Sequence, residues 1–451
     1  MTPSSPTRFN VPSLLLAASI ALSLASPALS QEYRYAMFLI DSAPRKSSTA
    51  YSINDAGVVV GYFVDEQTYM RAALWREGVL SDLDPQAPCC DNIAAAINEN
   101  GDIAGQRSEE GAVLWLADGQ RIQLGSLGGR WLAQANDIND SRQIVGDSSA
   151  PPDDYPHPFI WENGVMRDLG TFGGPRGKAL AINNFGSVVG MAEIPGTYDR
   201  AFLWEGGDLT QLDMLLDGNN CVATDINDAG LIVGSSETHN HFWYAVKWVD
   251  QQLVVIHDDS VAWQSGASAV NNSGVIVGTM TLNSDAVVGY VMEDNHMVNL
   301  NTLIPPAARR EIGSAVDIND QGAIIGLTKG DPARGVILFP VTTSFTLEPP
   351  FPGSAGEENL LIANGVTPGA RVAFLASRQG GGAVIPGCSV TTGAVLQLDK
   401  PMIVGIAVAN QRGVASIARG VPQSADGVRM IFQAAVPAEC KVSQVLSHRF
   451  Y

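Results

Sequence analysis

Three stretches of this 451-residue sequence bring chemically capable side chains close together. His239 and His241 alternate behind Glu237, and alternate residues of a strand point the same way, so one face could offer a metal two nitrogens and a carboxylate. No third ligand is set by spacing, and the pair reads as loop histidines; no metal or other cofactor is expected. Asp225-x-Asn227-Asp228-x-Gly230 and Asp317-x-Asn319-Asp320-x-Gly322 have the composition of a calcium loop. Both lack an acidic fifth residue, and Ser236 and Thr328 stand where the closing Glu belongs, so both read as tight turns. Paired carboxylates such as Asp153 and Asp258 suit glycosidic acid/base work, but nothing in the chain sets their separation. Gly-rich phosphate cradles, Gly-x-Ser-x-Gly elbows, His-Glu-x-x-His and Cys-x-x-Cys are absent. That removes several enzyme classes and names no catalytic residue.

The elements that must carry these residues come from a repeat. A twelve-residue phrase recurs seven times: Ala, two residues, Ile or Val, Asn, two residues, usually Gly, one residue, two apolar residues, Gly. Its Asn falls at Asn54, Asn98, Asn139, Asn183, Asn227, Asn271 and Asn319, spaced by 44, 41, 44, 44, 44 and 48 residues. In each copy two apolar runs flank a turn such as Asn227-Asp228-Ala229-Gly230, the signature of a tight hairpin with positive φ at the Gly. Arg142 replaces that Gly in the third copy, which should cost roughly 1 kcal/mol if the turn keeps its shape. The invariant Ala at the start and Gly at the end predict close approach of a neighbouring sheet. A second hairpin follows each phrase, with Trp75, Trp115, Trp161, Trp204 and Trp248 at one recurring place; Met292 and Phe339 replace them later, which fits packing anchors.

Four strands per period make one blade of a β-propeller. The seventh copy supplies only three, and 33–40 is an apolar strand candidate lying just before the first hairpin. The chain is therefore expected to be all-β: a seven-bladed β-propeller closed by that N-terminal strand, then a small β-sandwich. The Ile-Asn-x-x-Gly-x-Val-Val-Gly phrase, with Ala201-Phe202-Leu203-Trp204, resembles the HAF family of probable extracellular repeats over about residues 33–341. Arg200 stands where that family's name places His, and His157-Pro158-Phe159 is the nearest match to it. The resemblance implies export and repetition, and brings no catalytic residues with it.

Alternating hairpin turns sort the loops into two faces. Clipped turns such as 54–57 and 77–78 share one face; the long polar connections share the other. The binding residues expected on that long-loop face are Asp153, Tyr155, His157, Tyr198, Arg200, His239, His241, Trp243 and Trp263. Cys89, Cys90 and Cys221 lie on the same side, either as a strained vicinal pair with Cys221 left over or bridged across the mouth.

Residues 1–30 read as a secretory signal peptide: Arg8, a Leu/Ala-rich stretch, and Ala28-Leu29-Ser30 before the cut. No later apolar run is long enough to span a membrane as a helix. Loss of Arg8 takes the formal charge from −19 to −20. Such acidity argues against nucleic acid as a partner. The expected units are 31–341 for the repeats, 342–353 for a Pro-rich linker and 354–451 for the sandwich, stapled by Cys388–Cys440. The function expected is that of a secreted, monomeric, non-catalytic binding scaffold, its partner an extracellular glycan or protein. The alternative is a propeller hydrolase or lyase acting on glycans.

Overall fold

The computed structural model describes residues 34–40, 47–76, 79–85, 91–196, 198–216, 218–304, 310–330, 332–340, 346–366, 369–378, 380–384, 395–398, 400–410, 414–437, 441–443 and 446–450. The leader, Glu77-Gly78, Cys89, Cys90, Asp217, Arg309, Cys388 and Cys440 lie outside them, and with them the expected Cys388–Cys440 bridge. All of the described residues fall within one compact unit, Glu32–Tyr451.

Each repeat folds as a four-stranded antiparallel sheet in simple up-and-down order. The first contains Ser48–Ile53, Val59–Val64, Met70–Arg76 and Val79–Asp82; equivalents occupy 92–123, 134–168, 177–211, 221–255 and 262–299. The seventh takes Ile312–Ile318, Ile324–Thr328 and Gly335–Pro340 from the last repeat. Its fourth strand is Tyr35–Leu39, which pairs antiparallel with Gly335–Pro340 from Tyr35↔Pro340 to Leu39↔Val336. The first strand of every sheet packs on the second and third strands of the sheet before it, and sheet one packs in this way on sheet seven. Val145, Val189, Val233 and Ile325, buried on both sides, fill the spaces between sheets, consistent with their two-faced apolar pattern.

The repeat asparagines explain why this cycle holds. Each Oδ1 accepts the backbone N–H four residues on, closing its own turn, as Val58 N to Asn54 at 3.0 Å. Each Nδ2 donates to the carbonyl of the next repeat's Asn: 54 to 98, 98 to 139, 139 to 183, 183 to 227, 227 to 271 and 271 to 319, at 2.9–3.3 Å. Asn319 then donates to the Asn54 carbonyl at 2.9 Å, across 265 residues of sequence. All seven are buried, so every donor and acceptor spent here would otherwise be costly.

The terminal Gly of the phrase is small for a reason other than the expected neighbouring sheet. Every first strand carries a bulge two residues wide at the repeat Ala. That bulge turns a carbonyl of the same sheet toward the Gly: a Cβ on Gly61 would sit 1.9 Å from Thr49 O, and one on Gly190 would sit 2.0 Å from Lys178 O. The repeat Ala does meet the neighbouring sheet, since a Cβ on Gly335 of sheet seven would lie 3.6 Å from Ala50 Cβ. Arg142 adopts φ 61° in its turn and its Nε donates to the buried Asp102 of the preceding sheet at 2.6 Å. Trp75, Trp115, Trp161 and Trp248 are buried between sheets as expected; Trp204 is half-buried.

Beyond the repeats, Thr346–Leu347, Glu358–Asn364 and Ala415–Gly420 form one sheet, and Met402–Val408, Arg371–Ser377, Arg429–Val436 and Lys441–Val442 another, to which Leu446–Arg449 adds. Leu361, Phe374, Ile417, Phe432 and Ala434 make their common core. Thr346–Leu347 and Gly380–Val384 are strands that the sequence pattern did not reveal; Gly380–Val384 pairs with Val395–Leu398, a run that does read as a strand. Phe351, Leu360 and Ile362 share a buried cluster with Leu39, Ile40 and Val336, so the segment expected to be a linker is packed.

Candidate functional site

At the clipped-turn end the repeats surround a cavity of about 410 Å³. Its rim is the residue after each Asn: Asp55, Glu99, Asp140, Asn184, Asp228, Asn272 and Asp320. Each backbone N–H there donates to the side chain of the next, and Asp320 N to Asp55 Oδ1 at 2.8 Å completes the circuit. Within the wall, Asp137, Asp225 and Asp317 each accept their own following N–H and one from the next sheet (Ile182, Val270 and Ile53). Burial pushes the Asp137 carboxyl up to about 7, against those two N–H bonds. Burial, reinforced by the charge of Asp317, pushes Asp225 up to about 8; Asp317 is raised by burial too. Asp225 and Asp317 line the cavity, and all three are half-buried. Among the described residues no group of three His, Cys, Asp or Glu is arranged to hold a metal ion.

The nine residues expected on the long-loop face divide into three places along it. Trp243, His239, His241 and Trp263 lie at sheets five and six. His241 Nδ1 meets Glu237 Oε1 at 2.6 Å, and Asn220 donates to Glu237 Oε2 at 2.7 Å. Burial opposes ionisation of Glu237, yet the bonds from His241 and Asn220 outweigh it and hold the carboxyl below its usual range. His239 is exposed at the turn, so the pair does not converge on a metal; Trp263 instead meets Phe242 edge-on at 5.3 Å. Close by, Ser265 Oγ lies 2.7 Å from His257 Nδ1, and His257 Nε2 lies 3.2 Å from Asp259. This has the composition of a nucleophilic triad but not its accessibility. Ser265 is buried and accepts the Ala245 N–H at 3.1 Å, and Tyr244 stacks on the imidazole at 3.8 Å. Burial holds His257 below its ordinary value.

Tyr198 and Arg200 occupy the third strand of sheet four. The guanidinium lies 5.9 Å from the Tyr198 ring centre and donates to Asn219 O at 2.5 Å. Cys221 is a buried free thiol, raised by burial to about 11, and so is unreactive at neutral pH.

Asp153 and Tyr155 border the third place, a cleft of about 550 Å³ between sheets three and four; His157, further along the same strand, is held by Asp168 at 2.8 Å. Strand register puts Arg176, Lys178, Met191, Glu193 and Asp199 on one face of sheet four, all lining this cleft. Trp131 lines it as well and is 65% exposed, its main chain pinned on both sides by Ser149 Oγ at 2.8 and 2.9 Å. Arg176 stacks on Tyr155 at 4.9 Å. Lys178 pairs with Asp147 at 3.4 Å, and Asp154 caps Arg130 N at 2.8 Å. Sequence reasoning missed Trp131, Arg176, Lys178 and Glu193. A trace of Glu193 was visible: only copies four and five carry Glu (Glu193 and Glu237) three places after the repeat Gly.

No family model and no curated protein matches this sequence. Among solved structures, a gluconolactonase from Xanthomonas campestris is similar at 14% identity and TM-score 0.32, over 66% of this chain and 87% of its own. A puromycin-hydrolyzing peptidase from Mycobacterium tuberculosis is similar at 12% identity and TM-score 0.44, over 71% and 58%. TolB from Acinetobacter baumannii is similar at 10% and 0.37, over 53% and 61%. At these distances nothing about activity carries across.

Proposed function

We propose that this chain is an exported, non-catalytic binding protein: a seven-bladed propeller of the HAF type, closed by Tyr35–Leu39, with a β-sandwich docked at the closing blade. Its long-loop face holds a partner. The observation that carries this reading is how the histidine-containing acid/base pairs of that face are engaged. Glu237 is bonded by His241 and Asn220, His157 by Asp168, and the Ser265–His257 pair is buried under Tyr244. Exposed aromatic rings stand on the same face: Trp131, Tyr155, Tyr198 and Phe242. Exposed rings beside polar groups suit recognition, whereas acid/base catalysis needs a free acid and a free base facing one substrate.

Two experiments test it. N-terminal sequencing of the exported protein is expected to begin at Gln31; retention of Met1 would contradict export through this leader. Assays for new reducing ends and unsaturated products across plant, fungal and bacterial polysaccharides are expected to show no turnover. Product formation would favour the glycan hydrolase or lyase alternative.

A further inference from the structure

Repeat symmetry supplies an internal control for the cleft between sheets three and four. Glu193 and Glu237 hold the same place in successive repeats, and both are buried. Glu237 has a protein partner on each oxygen: His241 on one, Asn220 on the other. Glu193 Oε2 has none. Neither partner of Glu237 recurs in the preceding repeat, where Thr197 takes the place of His241 in the sequence. Arg176 stands where sheet five has Asn220, and its guanidinium is turned onto the Tyr155 ring. A carboxylate oxygen left bare in a buried position is costly unless something else donates to it.

We propose that this cleft is a binding site for a neutral saccharide, with the Glu193 carboxylate accepting a sugar hydroxyl and Trp131 stacking on the ring face. The assignment rests on the binding reading above and names its ligand. Charge decides the class. A phosphate or uronate would meet Asp153, Asp154, Glu193 and Asp199, and a cationic peptide would meet Arg176 and Lys178. A polyhydroxyl ligand can both donate to the carboxylates and accept from Arg176, so it suits both signs without a charge of its own. The volume, about 550 Å³, lies within the range of roughly 300–1,000 Å³ usual for small-ligand sites. The rim is already in place: Ser149 holds the backbone of Trp131, and Arg176 holds Tyr155.

Calorimetric titration of the exported chain with neutral gluco-, manno-, galacto-, xylo- and N-acetylglucosamine oligosaccharides tests the assignment, with oligogalacturonate and oligolysine as charged comparisons. At least one neutral series is expected to bind. Glu193→Gln should then weaken it by about tenfold or more, the cost of losing a charge-assisted bond. Trp131→Ala, at an exposed position that folding does not need, should do the same, about tenfold, by removing the aromatic anchor. Phe185→Ala, 79% exposed in the opposite, clipped-turn face, should change nothing. Oligosaccharide binding indifferent to both cleft substitutions would overturn the cleft assignment and leave the binding reading standing. Failure of every neutral series, or preference for either charged probe, would overturn the saccharide assignment. Turnover of a bound oligosaccharide would instead overturn the non-catalytic reading.

Discussion

Asp137, Asp225 and Asp317 store a pH dependence in the wall of the central cavity. A carboxyl whose folded pKa is raised binds its proton more tightly when folded, so its contribution is full at acid pH and is lost as the pH rises through the folded value. Burial, the largest cause, raises all three, Asp137 to about 7 and Asp225 to about 8. Burial lowers His257 and His448, which act in the opposite sense: their contribution is full above the unfolded histidine value and is lost as the pH falls. From about pH 6.5 upward the two histidines are at most half charged in the unfolded chain and lose that charge quickly, so the carboxyls set the sign up to about pH 8. Thermal unfolding midpoints are therefore expected to fall by several degrees across that window, and Asp225→Asn should flatten the slope. A midpoint constant or rising from 6.5 to 8 would refute this. Asp225 and Asp317 stood out in the sequence only as failed calcium loops, and Asp137 did not stand out. Their opposition across the cavity comes from the closed cycle of sheets, not from spacing within one repeat.

Among the elements, the repeat turn carries the most. Its Asn closes its own hairpin and bonds the next one, so Asn227→Ala leaves the Leu231 N–H unpaired and strips the Asn271 carbonyl of one of its two hydrogen bonds. We expect a loss of roughly 2–5 kcal/mol in chemical unfolding, whereas exposed Asn100→Ala should cost within about 0.5 kcal/mol. Equal losses would mean that the ring of asparagines is incidental. The turn, its Gly and its strands were legible because local chemistry dictates them. The terminal Gly was legible as a small residue but not for its cause, because a bulge is a matter of register between two strands and leaves no mark on either alone. Gly380–Val384 was missed for a related reason: its Gly run reads as a turn until Val395–Leu398 pairs with it. The cleft was half legible. Asp153 and Tyr155 read as part of a polar loop, but Trp131, Arg176 and Glu193 come from three other segments, of which only Glu193's, Val188–Ile194, is a strand.

For the whole molecule, closure by Tyr35–Leu39 joins the two ends of the repeat region and covers the strand edge of Gly335–Pro340. A chain beginning at residue 47 is expected to expose that edge and associate, seen by light scattering as dimers or larger species, while the chain from residue 31 stays monomeric. A monomeric short chain with an unchanged unfolding midpoint would show that the strand is dispensable. Closure also gives the disc two unlike faces: one sealed by fourteen side-chain-to-backbone bonds between successive turns, the other built of longer connections with exposed rings. The measurement that tests this division most directly is photo-cross-linking from a benzophenone side chain placed at Tyr155 or at Phe185, in the protein exposed to the surface glycans and proteins of its surroundings. Adducts from position 155 and none from 185 are the predicted result. Adducts from 185 alone, or from both equally, would contradict a binding function on the long-loop face.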